Sequence, residues 1–169
     1  FITSFSDTAT FHNSGANGGW FTDLNAAYTA VNSIQASGKT DYDLALDTVT
    51  SNFAPPPAGG DRLVSMFMSD GKPNDNNGTG SNGIIESDTG VNGFGEETAW
   101  INFLTAKGFG ASYAVGFGGL TSTDKGYLEP IAWRPSETAG TYSGTNDSNV
   151  IVVANASDLT AVLMSTIGS

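Results

Sequence analysis

Apolar residues in the first third of the chain follow two periods, that of a strand and then that of a helix. Phe1–Phe5 alternates apolar and polar residues and Thr8–Phe11 follows a short turn, which predicts a β-hairpin. Leu24–Ile34 has apolar residues every three or four positions, which predicts a helix with Thr22 as its N-cap. Thr40–Phe53 repeats this spacing and predicts a second helix with Thr40 as its N-cap, which three consecutive prolines end.

The rest of the chain alternates short apolar runs with helical patterns. The runs Leu63–Met68, Ala111–Phe117 and Val150–Val153 predict strands that are buried on both faces of a parallel sheet. Helical spacing or capping residues predict helices over three further segments: 96–107, 127–133 and 157–167. Strands that alternate with helices predict an α/β fold, with a doubly wound, mostly parallel sheet flanked by helices in three layers.

The length of 169 residues fits one domain, and we predict a single domain over residues 1–169. Residues 74–93 are mostly polar and rich in Asn and Gly, which predicts a surface insertion. Its Asp and Asn side chains would suit a calcium ion, but tracts of this kind are ordinary loop chemistry. A solvated loop is therefore the favoured interpretation of the insertion.

Charge and cysteine content exclude several classes of function. The chain has 17 Asp and Glu against 6 Lys and Arg, a net charge of −11, which repels nucleic acid and anionic lipid headgroups. The absence of cysteine excludes disulfides, thiolate metal sites and cysteine nucleophiles. No apolar run approaches the roughly 20 residues of a membrane span. We therefore expect neither a nucleic-acid partner nor membrane insertion.

Several candidate catalytic motifs have simpler structural interpretations. Ser37–Thr40 ends like a phosphate-binding loop, but the required first glycine and the preceding strand are absent. His12 is the only histidine and has no nucleophile motif beside it. The acidic pairs Glu96-Glu97 and Asp41/Asp43 stand at predicted helix starts, where the helix dipole favours carboxylates.

Asp70 is the strongest single candidate. It follows a predicted buried strand and precedes Gly71, at the edge of the sheet where α/β folds bind ligands and metals. Position alone favours an Asx-turn or a helix N-cap equally well.

Three segments resemble, in order and spacing, the landmarks of von Willebrand factor A (VWA) domains: Phe5–Asp7, Gly38–Leu46 and Met66–Asn74. Tyr113–Gly118 and Val150–Val153 resemble the last two strands of that family. The resemblance covers essentially the whole chain. It implies a Rossmann-like α/β fold.

In VWA domains three loops form a metal-ion-dependent adhesion site (MIDAS). The resemblance implies that Thr40 is the metal ligand of the second loop and Asp70 that of the third. A hydroxyl and a carboxylate suit a divalent cation such as Mg²⁺ or Ca²⁺, and they leave positions for water and for an acidic group of a partner. The sequence places no general base beside them. We therefore expect metal binding to serve recognition, and we expect no enzymatic activity.

The third part of the site, an Asp-x-Ser-x-Ser loop, does not occur in the sequence. Residues 7–10, Asp-Thr-Ala-Thr, have the wrong spacing and fall on a predicted hairpin turn. In the family, this loop follows a first strand that lies in the middle of the sheet. We therefore expect the domain to be incomplete at its N-terminus, and we expect the missing N-terminal segment to be a partner that the fold needs.

The composition, rich in Asn, Asp, Gly and Thr and poor in Lys, resembles domains of large secreted bacterial adhesins of the RTX type. The sequence thus predicts an extracellular domain at a bacterial cell surface that binds a protein or glycan partner, in adhesion or biofilm attachment. Two alternatives stay open. The domain is a structural spacer without a ligand, or it is a hydrolase that depends on Glu96, Glu97 or His12.

Overall fold

A computed structural model describes residues 1–35, 37–57, 62–74, 85, 96–136 and 149–167. The chain divides into two compact units, residues 1–62 with 73–84 and residues 63–72 with 85–169. The single domain over 1–169 stays a prediction. Of the predicted insertion 74–93, only Asn74 and the buried Ile85 belong to the described residues, and the rest lies outside them.

The first unit contains a β-hairpin and two helices. Its elements are β1 (Ile2–Phe5), β2 (Ala9–His12), α1 (Leu24–Asn32) and α2 (Tyr42–Asn52). β1 and β2 are antiparallel, with Ile2 opposite His12 and Phe5 opposite Ala9. The predicted hairpin and both predicted helices are confirmed.

Aspartates cap both helices, although threonines were predicted to do so. The Asp23 carboxylate accepts hydrogen bonds from the first-turn amides of α1, so Thr22 is not its cap. The Asp41 carboxylate accepts the Leu44 N–H at 2.9 Å and caps α2 in place of Thr40. In each case the aspartate stands directly before the first helical residue, from which a short carboxylate reaches the amides two or three positions later.

Aromatic side chains form the core of the first unit. Tyr42 of α2 is fully buried, and the Phe5 ring meets it edge-on at 6.1 Å between centroids. A second group of rings closes the other end of the hairpin: Phe1, Phe11, Trp20 and Phe53, with centroids 4.7–6.0 Å apart. The Trp20 indole N–H donates to the Ala54 carbonyl at 2.8 Å, which satisfies its polar atom.

The large apolar residues of α1 are exposed. None of its residues is buried, and Leu24, Tyr28 and Val31 keep 84%, 67% and 51% of their surface accessible. The predicted amphipathic helix therefore forms, but no described residue covers its large apolar side chains.

The second unit contains a three-stranded parallel sheet in the order β3-β4-β5. Its strands are β3 (Leu63–Ser69), β4 (Phe109–Gly116) and β5 (Val150–Val152), and its helices are α3 (Glu96–Ala106) and α4 (Ala156–Ile167). β4 is the central strand, and α3 packs against it with Leu104 fully buried. A parallel sheet flanked by helices confirms the predicted α/β class.

β3 is buried on one face only, so the prediction of two buried faces is wrong for this strand. Phe67 is buried, whereas Val64 and Met68 on the opposite face are 39% and 42% exposed. Their partners in the register, Ala111 and Val115 of β4, are buried. Within the described residues, β3 is the edge strand and pairs only with β4, so these side chains also lack a neighbouring strand on one side.

Two local predictions in the second unit are also corrected. A helix was predicted over residues 127–133. The structure instead has a 3₁₀-helix over Ser122–Tyr127, which ends where the predicted helix would begin. Thr121 and Asp124 form a capping box that starts this turn early, and residues 128–131 continue as turns. Ser157, the predicted cap of the last helix, lies inside the first turn of α4.

We predict that truncation of a buried leucine lowers the free energy of unfolding much more than truncation of an exposed one. Leu104→Ala removes a fully buried side chain and should lower the free energy of unfolding by roughly 2–5 kcal/mol. Leu24→Ala, at 84% exposure, should change it by less than about 0.5 kcal/mol. Urea denaturation followed by circular dichroism measures both. A large loss for Leu24→Ala would mean that another part of the chain covers α1.

Candidate metal centre

Thr40 lies in the loop before α2, and two backbone hydrogen bonds fix its position. Its N–H donates to the Asn74 side-chain oxygen at 2.8 Å, and its carbonyl accepts the Asn74 N–H at 2.9 Å. The next residue, Asp41, donates its N–H to the Ser6 carbonyl at 3.0 Å. Partners that are more than 30 residues away in the sequence therefore hold this loop from both sides.

Gly38 allows the hairpin turn to approach the same loop. It has φ +80°, and a Cβ at this position would collide with the Asp7 carboxylate. The positive φ favours glycine, and any other residue would also require the Asp7 carboxylate to move. Asp7 itself lies in the tight turn between β1 and β2, as predicted from the sequence. This placement agrees with the exclusion of residues 7–10 as the Asp-x-Ser-x-Ser loop.

The Thr40 hydroxyl is available to a ligand. Its side chain is partly exposed, and it makes no hydrogen bond with another described residue. A hydroxyl in this state can donate a lone pair to a cation without losing an internal hydrogen bond.

Asp70 follows β3 directly, at the carboxyl end of the strand. Its backbone carbonyl accepts the Gly119 N–H at 2.9 Å. A Cβ on Gly119 would lie 2.8 Å from that oxygen, so a side chain there would push the two loops apart. Gly118, with φ +64°, turns the chain immediately before this contact.

The Asp70 carboxylate is exposed and accepts no hydrogen bond from the described residues. The turn after β3 is closed by Ser69 instead, whose hydroxyl donates to the Gly71 carbonyl at 2.9 Å. An Asx-turn or N-cap role for Asp70, which position alone favoured equally, therefore has no support in these contacts. The carboxylate is left available to a ligand.

Lys72 forms an ion pair that anchors the segment after Asp70. Its Nζ lies 2.8 Å from Asp124 Oδ1, and the Asp124 side chain is only 8% exposed. Asp124 Oδ2 accepts the Thr121 N–H and hydroxyl at 2.9 and 2.7 Å. These hydrogen bonds, that from Lys72 first, lower the pKa of Asp124 to about 2, and the carboxylate raises the pKa of Lys72.

The residues considered for a hydrolase belong to different units, His12 to the first and Glu96 and Glu97 to the second. His12 lies in β2, and its Nε2 is 2.8 Å from the Ser4 hydroxyl across the hairpin. No described carboxylate hydrogen-bonds to His12, so nothing orients it as a base. Glu96 and Glu97 begin α3, as predicted, with Glu97 buried.

Thr40 belongs to the first unit and Asp70 to the second, and the structure describes each within its own unit. Their assembly into one site therefore stays a prediction. Across the described part of the chain, no three His, Cys, Asp or Glu side chains form a cluster that could hold a metal. A site built on these two residues would rely on one carboxylate, one hydroxyl and further oxygen ligands.

Sequence reasoning missed the contacts that support the two candidate ligands. The Thr121-x-x-Asp124 spacing is a capping-box signature and could have been found. Nothing local indicates that Asn74 binds the Thr40 backbone or that Lys72 pairs with Asp124, because both pairs are distant in the sequence.

Comparisons with known proteins identify the fold. No family model matches the sequence, and no curated protein is significantly similar to it. A similar solved structure is that of proximal thread matrix protein 1 (PTMP1) from the mussel byssus, described with a zinc-occupied MIDAS motif. The TM-score is 0.60 at 18% sequence identity. The chain has a VWA-like fold.

The match to PTMP1 covers 98% of this chain and 34% of the mussel chain, so this chain spans about a third of that protein's length. At this identity the similarity establishes the VWA-like fold and not the activity. Within the described residues, no helix is both long and apolar enough to cross a membrane.

We predict that the ion pair makes stability depend on acid pH. The pKa of Asp124 is about 2 in the folded protein and near its ordinary value of 3.8 when unfolded, so the unfolded state binds the proton more readily. The contribution of Asp124 is therefore complete above about pH 4 and is lost as the pH falls towards 2. The advantage in denaturation midpoint of the unaltered protein over Asp124→Asn should shrink across this interval. An advantage that stays constant between pH 5 and 2 would contradict the assignment.

Proposed function

We propose that this chain is an extracellular adhesion domain that binds a divalent cation and, through it, an acidic group of a protein or glycan partner. The observation that carries the proposal is the VWA-like fold over 98% of the chain, shared with a structure described with an occupied MIDAS. Within this fold, Asp70 stands at the carboxyl edge of the parallel sheet with an unbonded carboxylate.

The chemistry of the two donors fits a hard divalent cation such as Mg²⁺ or Ca²⁺. Both cations prefer oxygen ligands, and Thr40 and Asp70 offer a hydroxyl oxygen and a carboxylate. Since Asp70 is the only charged donor of the two, a bound cation keeps net positive charge and attracts a partner's carboxylate. The proposal assigns these residues binding and orientation, and no catalytic step.

Asn74 follows Asp70 by four residues in the sequence, and its side chain and backbone hold the Thr40 backbone at 2.8 and 2.9 Å. The pairing of Thr40 with Asp70 in one site rests on the resemblance to VWA domains.

We also propose that a strand from an N-terminal segment of the same domain pairs with β3. Within the described residues β3 pairs on one side only, and Val64 and Met68 are partly exposed. The strand contains neither a charged residue nor proline, the usual protections of a free edge. Its apolar composition is typical of strands inside parallel sheets.

Composition supports the proposed surroundings. A net charge of −11 makes nucleic acid an unfavourable partner, and the Asn-, Gly- and Thr-rich, cysteine-free sequence supports placement at a bacterial cell surface in an adhesin of the RTX type. A spacer domain that binds no ligand is the second candidate. The absence of an Asp-x-Ser-x-Ser loop from the sequence favours it.

We predict that Asp70→Ala abolishes cation binding and leaves the fold intact, because the carboxylate is exposed and supports no internal hydrogen bond. Isothermal titration calorimetry with Mg²⁺, Ca²⁺ and Zn²⁺ separately measures binding, and circular dichroism checks the fold. Asp158→Ala, which removes an exposed carboxylate from α4, is the matched control and should bind as the unaltered protein does. Equal binding by the Asp70 and Asp158 variants would refute the metal role and favour the spacer.

The proposed additional strand makes a separate prediction. In a longer protein that includes the proposed N-terminal segment, the β3 amides that face away from β4 should exchange slowly with deuterium, because a neighbouring strand accepts their hydrogen bonds. In the 169-residue chain alone these amides should exchange quickly. Fast exchange in both proteins would show that β3 is a true edge strand.

A further inference from the structure

We propose that the Lys72–Asp124 ion pair is a positioning device that sets the cation affinity of Asp70. This inference rests on the proposed function, because it concerns the same carboxylate. Neither Lys72 nor Asp124 would touch the cation. Their role would be to orient Asp70, which would bind it.

The Asp70 side chain has no described partner that orients it. Its carboxylate accepts no hydrogen bond from the described residues, so no side-chain partner determines its direction. Metal ligands are normally oriented by such partners, and the loss of one lowers affinity by about 10–100-fold. For Asp70, orientation must therefore come from the backbone that carries it.

That backbone is held at two points by one segment. The Asp70 carbonyl accepts the Gly119 N–H at 2.9 Å, and the Lys72 ammonium lies 2.8 Å from Asp124 Oδ1. Gly119 and Asp124 both belong to the segment that follows β4. The two contacts bracket Asp70–Lys72 and fix it against this segment.

The second contact is firmer than an ordinary surface ion pair. Asp124 is 8% exposed, and its other oxygen is used by the Thr121 N–H and hydroxyl. The carboxylate therefore cannot rotate toward Lys72 or away from it without breaking the capping box. A rigid acceptor makes the position of Lys72, and with it the path of the chain back to Asp70, well defined.

Removal of Lys72 distinguishes a positioning role from a purely electrostatic effect, because the two predict opposite changes in cation affinity. Lys72 is a positive charge two residues from Asp70, so its loss alone should strengthen the binding of a cation. If the ion pair positions the carboxylate, the same change should weaken binding instead.

The test compares three variants with the unaltered protein. Lys72→Met removes the ion pair, and Lys72→Arg keeps it. Lys125→Met removes an equal charge from the residue next to Asp124. Lys125 forms no ion pair with the described residues. Calorimetry measures the Kd of whichever of Mg²⁺, Ca²⁺ and Zn²⁺ binds the unaltered protein most tightly. Hydrogen exchange of the Gly119 amide, measured by NMR without metal, reports directly on the contact with Asp70.

We expect Lys72→Met to raise the Kd about tenfold and to accelerate exchange of the Gly119 amide. Lys72→Arg should restore both values, and Lys125→Met should leave the exchange unchanged and the Kd unchanged or slightly lower. A merely structural role of Lys72 would lower the melting temperature without raising the Kd measured well below it.

The inference is overturned if Lys72→Met binds the cation as tightly as the unaltered protein or more tightly, or if exchange at Gly119 does not change. If Asp70→Ala still abolishes binding in that case, the proposed function stands without the positioning role. If the unaltered protein binds none of the three cations, the proposed function fails and the positioning of a metal ligand fails with it. The exchange measurement still decides whether the ion pair holds the loop.

Discussion

The parallel ladder between β3 and β4 is the constraint on which the candidate site depends. Its register places Ser69 opposite Gly116, so both strands end at the same level and the loops that follow them leave the sheet side by side. Asp70 and Gly119 meet for this reason. Ladder hydrogen bonds place these backbones, and the Asp70 carboxylate then stands at the edge where α/β sheets bind ligands.

Buried and exposed apolar residues are unevenly distributed in both units. Trp100, Ile101 and Leu104 of α3 and Ala114 and Val115 of β4 are buried, whereas the large side chains of α1 and one face of β3 remain exposed. The loops around Thr40 and Asp70 are held by hydrogen bonds and one ion pair rather than by apolar packing. Polar contacts of this kind fix the backbone and leave the Thr40 hydroxyl and the Asp70 carboxylate open to solvent.

Much of the fold follows from sequence patterns, because the period of apolar residues reflects which side of an element faces a core. The hairpin, the four helices and the strands around Phe67, Val115 and Val150 were predicted from such patterns. Pattern does not indicate how many neighbours a strand has, so the exposed face of β3 was missed. Nor does the pattern show whether Thr40 or Asp41 caps α2. Both residue types are favoured as N-caps, and a shift of one position in the helix start decides between them.

For the candidate site, the sequence indicated two candidate ligands but not the contacts that hold their loops. Asp70 was proposed from its place after an apolar run, and Thr40 from a resemblance; their role as ligands stays a prediction. The partners of both loops, Asn74, Gly119 and Asp124, are brought to them by the chain fold over long sequence distances. The most direct test of the account is anomalous diffraction from crystals of the protein grown with Mn²⁺. A peak coordinated by the Asp70 carboxylate and the Thr40 hydroxyl is predicted, and a peak elsewhere or none at these atoms would contradict the central claim.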